Sequence, residues 1–108
     1  MKFHTLLLAI LAAAAVPLPA AAQQAPDAGR GLDLARRWCA ACHVVERGGA
    51  GADGTVGFPA VADDRSTTRE RITTFLAAPH GGMADPGLSR RDAADIAEHI
   101  LRLRATAR

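Results

Sequence analysis

The chain holds only two cysteines, Cys39 and Cys42, three positions apart, with His43 directly after the second. That placement limits what the chain can fold into. A bridge between them would close almost no loop, so it would stabilise little. Nor does the core supply much by itself. Beyond residue 22 there are two Phe, one Trp and no Tyr, and Ala is abundant. A domain this small buries only about 60–65% of its unfolded surface. Small domains of this kind usually need a staple, a metal or a bulky cofactor. The composition therefore asks for a hydrophobic body from outside the sequence.

The first residues are not expected to belong to that domain. "MKFHTLLLAILAAAAVPLPAAAQQ" has one cation, Lys2, then an apolar run from Leu6 to Val16. Pro17 and Pro19 follow, then Ala20, Ala21 and Ala22. This is the pattern of a secretory signal peptide, 1–22, with cleavage after Ala22 or, as an alternative, after Ala25. An uncleaved membrane anchor is the rival reading, because Thr5 to Ala22 carries no charge. The two prolines and the Ala-rich run favour cleavage. The domain is then 23–108.

After Lys2 every cation is arginine: 12 Arg stand against 11 Asp plus Glu. With no basic stripe and no interleaved aromatics, DNA or other nucleic-acid binding has no support. Membrane contact is expected only if the leader stays on the chain.

Three helices are expected, joined by Gly- and Pro-rich loops, with no strand. The first spans about Ala28 to Ala41, capped by Asp27. Gly31 costs up to about 1 kcal/mol relative to Ala inside a helix; close approach of another helix is the usual reason for it. The loop Glu46 to Thr55 has four glycines. In "VGFPAVA", Val56 to Ala62, Pro59 argues against a regular element. The second helix opens at Thr67, with Glu70 completing a capping box, and ends at Ala78 before Pro79. "PHGGMADPG", Pro79 to Gly87, is irregular. The last helix starts at Ser89, with Asp92 as box partner. Ala93, Ile96, Ala97, Ile100 and Leu103 form its apolar stripe.

Four readings compete for the Cys-x-x-Cys-His run. A thioredoxin-like dithiol belongs at a strand-to-helix turn, and no strand is visible. A closed zinc site needs four ligands, and only three are here. A structural disulfide explains neither His43 nor the poor core. Haem attachment uses every part. Cysteines three apart on a helical turn face the same way, so each can form a thioether with one vinyl group. The tethered ring then lies within reach of the His43 imidazole, and the export signal agrees with covalent haem chemistry.

The chain resembles the class I c-type cytochromes, of the short, monohaem, periplasmic bacterial kind. The resemblance covers essentially all of 23–108. Gly31 stands where that family has a Gly that lets its terminal helices cross. "CAACH" is the haem motif. "HGGMADPGLSRRDAADIAEHILRL" resembles the ligand loop plus terminal helix, with Met83 in the place of the axial methionine. There are departures. Ala35 replaces a common aromatic, with Trp38 nearby to fill the space, and His99 replaces the terminal-helix aromatic. The family's loop proline, whose carbonyl orients the proximal His, has no direct counterpart. Pro59 follows Phe58, and Val56 lies nearer the expected place.

The resemblance implies an all-α cytochrome c-like fold around one covalent haem c. Cys39 and Cys42 would be the tethers, and His43 and Met83 the axial iron ligands. Trp38, Phe58, Ile72, Phe75 and Leu76 are expected to line the pocket. Arg65 and Arg71 are candidates for the propionates, with solvated surface charge as the alternative. His80, three residues before Met83, is an alternative ligand, with a solvent-facing loop residue as the favoured reading. The implied function is one-electron transfer in the periplasm between redox partner proteins, by a monomer that is not an enzyme. The alternatives are a haem subunit docked to a dehydrogenase or oxidase complex, and a haem protein with a labile distal site.

Overall fold

The computed structural model describes residues 24–49, 51–52 and 54–105. The expected leader, 1–22, lies outside them. The described residues form four helices: α1 (Ala28–Trp38), α2 (Phe58–Asp63), α3 (Arg69–Leu76) and α4 (Arg90–Arg102). No strand occurs among the described residues, as an all-α fold requires. Helix α4 is the hub, packing against α1, α2 and α3.

The crossing of α1 and α4 explains Gly31. A Cβ at that position would overlap the backbone carbonyl of Asp95 on α4. Small side chains extend the close contact, with Ala35, Ala93 and Ala97 all buried. Polar groups fix the register. The Asp27 side chain caps α1 by accepting from the amides of Gly29 and Arg30. Its own amide donates to Asp95 Oδ1 at 2.8 Å. Arg30 then reaches across to both Asp95 and Asp92. Asp95 is fully buried, and a buried carboxylate is tolerated only with such partners.

Helix α4 begins as its sequence predicts. Ser89 Oγ accepts from the Asp92 amide, and Asp92 accepts in return from the Ser89 amide, so the capping box is complete. Ile96 and Ile100 point into the core with Ala35, Val45, Phe58, Ala62 and Ile72. Leu103 packs at its edge.

Three expectations need correction. Pro59 does not prevent a helix: it sits in the first turn of α2, where its missing N–H is not needed and its fixed φ suits the helix. The cap of α3 is Thr68, whose Oγ1 accepts from the Arg71 amide at 3.2 Å. Thr67 therefore forms no capping box with Glu70, and α3 ends at Leu76 rather than Ala78. The two adjacent threonines offered the same cap chemistry one residue apart. Lastly, α1 ends at Trp38, not Ala41. The chain continues as a separate tight turn in which the amides of Cys42 and His43 both donate to the Cys39 carbonyl.

Candidate functional site: an apolar pocket beside the cysteine turn

That turn forms one wall of a cavity of about 590 Å³. The volume lies within the ~300–1,000 Å³ of cofactor and ligand sites. Trp38, Cys39, Cys42 and His43 line this wall. Phe58, Ile72, Leu76 and Ile100 form an apolar floor where α2, α3 and α4 meet. The loop after α3 adds Pro79, His80, Met83 and Leu88 to the lining. Phe75 lies at the outer edge and is 61% exposed. Trp38, Phe58, Ile72, Phe75 and Leu76 line this cavity together with Cys39, Cys42, His43 and Met83.

The orientation of His43 is determined from behind. Its Nδ1 lies 2.7 Å from the Val56 carbonyl oxygen. A carbonyl only accepts, so Nδ1 carries the proton and Nε2 keeps its lone pair. Thr55 Oγ1 donates to the Cys42 carbonyl at 2.6 Å and lies 2.9 Å from the same Nδ1. Its lone pair is thus a second acceptor for that proton. Val56 lies nearer than Pro59 to the place where the resemblance puts an orienting carbonyl. Thr55 was not foreseen; a threonine in a Gly-rich loop carries no local signal for it. The Phe58 ring packs beside His43, with centroids 5.5 Å apart.

The cysteines are not disulfide-bonded. Burial pushes the Cys39 thiol above its ordinary value. A redox dithiol needs the opposite shift, toward thiolate. Among the described residues no group of three His, Cys, Asp or Glu side chains gathers to hold a metal ion.

Two arginines separate here. Arg71 lines the cavity, and its Nη1 donates to the Ser66 carbonyl at 3.1 Å and to Ser66 Oγ at 3.0 Å. Arg65 is exposed and lies outside the lining. His80 corrects an expectation. It is not a solvent-facing loop residue: it is half-buried, lines the cavity and packs on Phe75 with ring centroids 4.4 Å apart. His99, 6% exposed, donates from Nε2 to the Val45 carbonyl at 2.7 Å. It ties α4 to the chain just beyond His43.

An apolar cavity lined by a Cys-x-x-Cys-His turn and a methionine thioether matches a covalently held haem in size and donor chemistry. Residues 26–100 match the family model described as "Cytochrome C oxidase, cbb3-type, subunit III". The chain is also 43% identical over 102 residues to cytochrome c-552 of Bradyrhizobium diazoefficiens, covering 94% of this chain and 98% of that relative. The chain belongs to the c-type cytochromes. Members of this family carry covalently bound haem c and act in haem-based electron transfer with redox partner proteins. No solved structure matches the chain.

Proposed function

We propose that this c-type cytochrome is a small periplasmic carrier of single electrons. Cys39 and Cys42 would hold the haem by thioethers, with His43 and Met83 as the axial ligands. The carrying observation is that all four side chains line one cavity while His43 has only Nε2 left to offer. When bound, the haem supplies a reversible Fe(III)/Fe(II) couple, and methionine–histidine ligation raises its potential. The chain's own residues do the rest. Val56 and Thr55 hold the His43 ring in one tautomer, and Phe58, Ile72, Leu76 and Ile100 keep water from the buried face. Arg71 stands at the rim, where a guanidinium suits a carboxylate.

If His43 and Met83 both hold the iron, no position would remain there for a substrate, which favours a carrier over an enzyme. Residues 1–22 would act as the export signal and 23–108 as the monohaem domain. No helix among the described residues is long and apolar enough to cross a membrane. The relative it matches nearly end to end is a small cytochrome, which favours a free carrier over a permanently docked subunit.

The test is spectroscopic. A pyridine haemochrome assay should report two thioether bonds. The oxidised protein should show the methionine–iron charge-transfer band in the near infrared. A missing band together with ready carbon monoxide binding by the reduced protein would sink the carrier reading.

A further inference from the structure

We propose that His80 is a second distal donor for the haem iron, placed to take the position opposite His43 when Met83 leaves it. The proposal deepens the ligand reading above and rests on His43 as the proximal ligand. The ring centroids of His43 and His80 are 6.1 Å apart, with the planes inclined by 58°. With metal–nitrogen bonds of about 2.0 Å, two imidazoles on one ion have ring centres roughly 6 Å apart. Rotation of one ring about the shared axis is unrestricted by that distance, so the inclination is compatible with it.

A second observation concerns the ring nitrogen. His80 Nδ1 is buried and has no hydrogen-bond partner among the described residues. The cavity is open, so a nitrogen buried in this way faces protein, and Nε2 is the ring nitrogen left to act as the donor. Contact with Phe75 keeps the ring in the pocket.

The loop itself permits an exchange. Only Gly81 and Gly82 separate His80 from Met83, with φ of 59° and 74°. A Cβ at either would meet nothing within 4 Å. The Met83 amide donates to the His80 carbonyl at 3.1 Å, which closes the turn. Two left-handed glycines flanked by two donors form a hinge that re-aims one side chain without moving α3 or α4. The exchange breaks one iron–sulfur bond and forms one iron–nitrogen bond from the lone pair of a neutral imidazole. No electron or proton is gained or lost. Replacing the thioether by imidazole favours the ferric form and lowers the potential.

The test uses haem-loaded Met83→Ala and the double variant Met83→Ala/His80→Ala, both oxidised, read by optical and electron paramagnetic resonance spectra. Met83→Ala should be low-spin and six-coordinate, with a midpoint potential below wild type. The double variant should be high-spin. Identical spin states in the two, whether high or low, overturn the proposal. A second comparison leaves Met83 in place. On mild warming, ferric wild type should lose the methionine band yet stay low-spin, whereas His80→Asn should become high-spin as its band fades. Matching spin states there also overturn it. Failure of the Met83 reading looks different: Met83→Ala would then leave the wild-type spectrum unchanged.

Discussion

His43 Nδ1 lies 2.7 Å from the Val56 carbonyl oxygen, and Thr55 Oγ1 accepts from the same nitrogen at 2.9 Å. Acceptors behind an imidazole raise the electron density it offers from its other nitrogen. Thr55→Val keeps the shape and removes one of the two acceptors. The ferric form should lose more stabilisation than the ferrous form, so the midpoint potential should rise above wild type. The Cys42 carbonyl also loses its donor, and thermal unfolding should show a loss of about 1 kcal/mol. A potentiometric titration checks the first effect; a fall in potential would contradict the acceptor role.

Gly31→Ala should damage the fold far from the pocket. The added methyl group collides with backbone on α4, which cannot rotate away as a flexible side chain would. Overpacking of this kind costs about 1–3 kcal/mol. Gly54→Ala is the contrasting case, because a Cβ there meets nothing within 4 Å. Thermal melts of the two haem-loaded variants should separate, with Gly31→Ala well below wild type and Gly54→Ala close to it.

What could be read from the sequence were the features set by local chemistry. Asp27, Ser89 and Asp92 cap their helices by contacts within three residues, and the stripe of Ile96 and Ile100 faces the core as its spacing requires. Gly31 was legible because an expensive glycine needs a reason. Helix α2 was not, because one proline reads as a breaker until its position in the first turn is known. The Thr67/Thr68 choice was ambiguous for a related reason: adjacent hydroxyls differ only in what the tertiary fold asks of them. One lines the pocket and the other caps α3. Thr55 and His80 depended on chain folding back over the cysteine turn. No spacing rule links residue 55 or 80 to residue 43.

Acid should loosen the α1–α4 and α3–α4 contacts. The Ser89 amide and hydroxyl, then Arg30, hold the Asp92 carboxyl below the usual carboxylate range. Burial pushes Asp95 up, but the Asp27 amide and Arg30 outweigh it, so its direction is also down. Arg69 and Arg102 lower Glu98. A carboxylate with a depressed folded pKa stabilises the fold above its unfolded value, about 4. That contribution disappears as pH falls through the folded value. The thermal midpoint should therefore be level near neutrality and drop below about pH 4. Arg30→Met should be less stable than wild type at pH 7 and should show a shallower drop. Parallel acid profiles for the two proteins would remove Arg30 from this account.

His99 stands where related proteins place an aromatic residue, and two substitutions separate the roles of its ring and its donor. The Nε2–H bond to the Val45 carbonyl is buried, and the ring lies 6.4 Å from that of Phe58. His99→Phe preserves an aromatic volume but leaves the Val45 carbonyl without its donor. An unpaired buried acceptor costs about 1–3 kcal/mol, so His99→Phe should unfold at a lower temperature than wild type. His99→Gln keeps an N–H donor at similar reach and loses ring contact instead. Its stability should lie between wild type and His99→Ala, which loses both. Equal stability of wild type and His99→Phe would mean that the ring alone matters. Greater stability of His99→Gln than of His99→Phe would make the tie between α4 and the segment after His43 the stronger contribution.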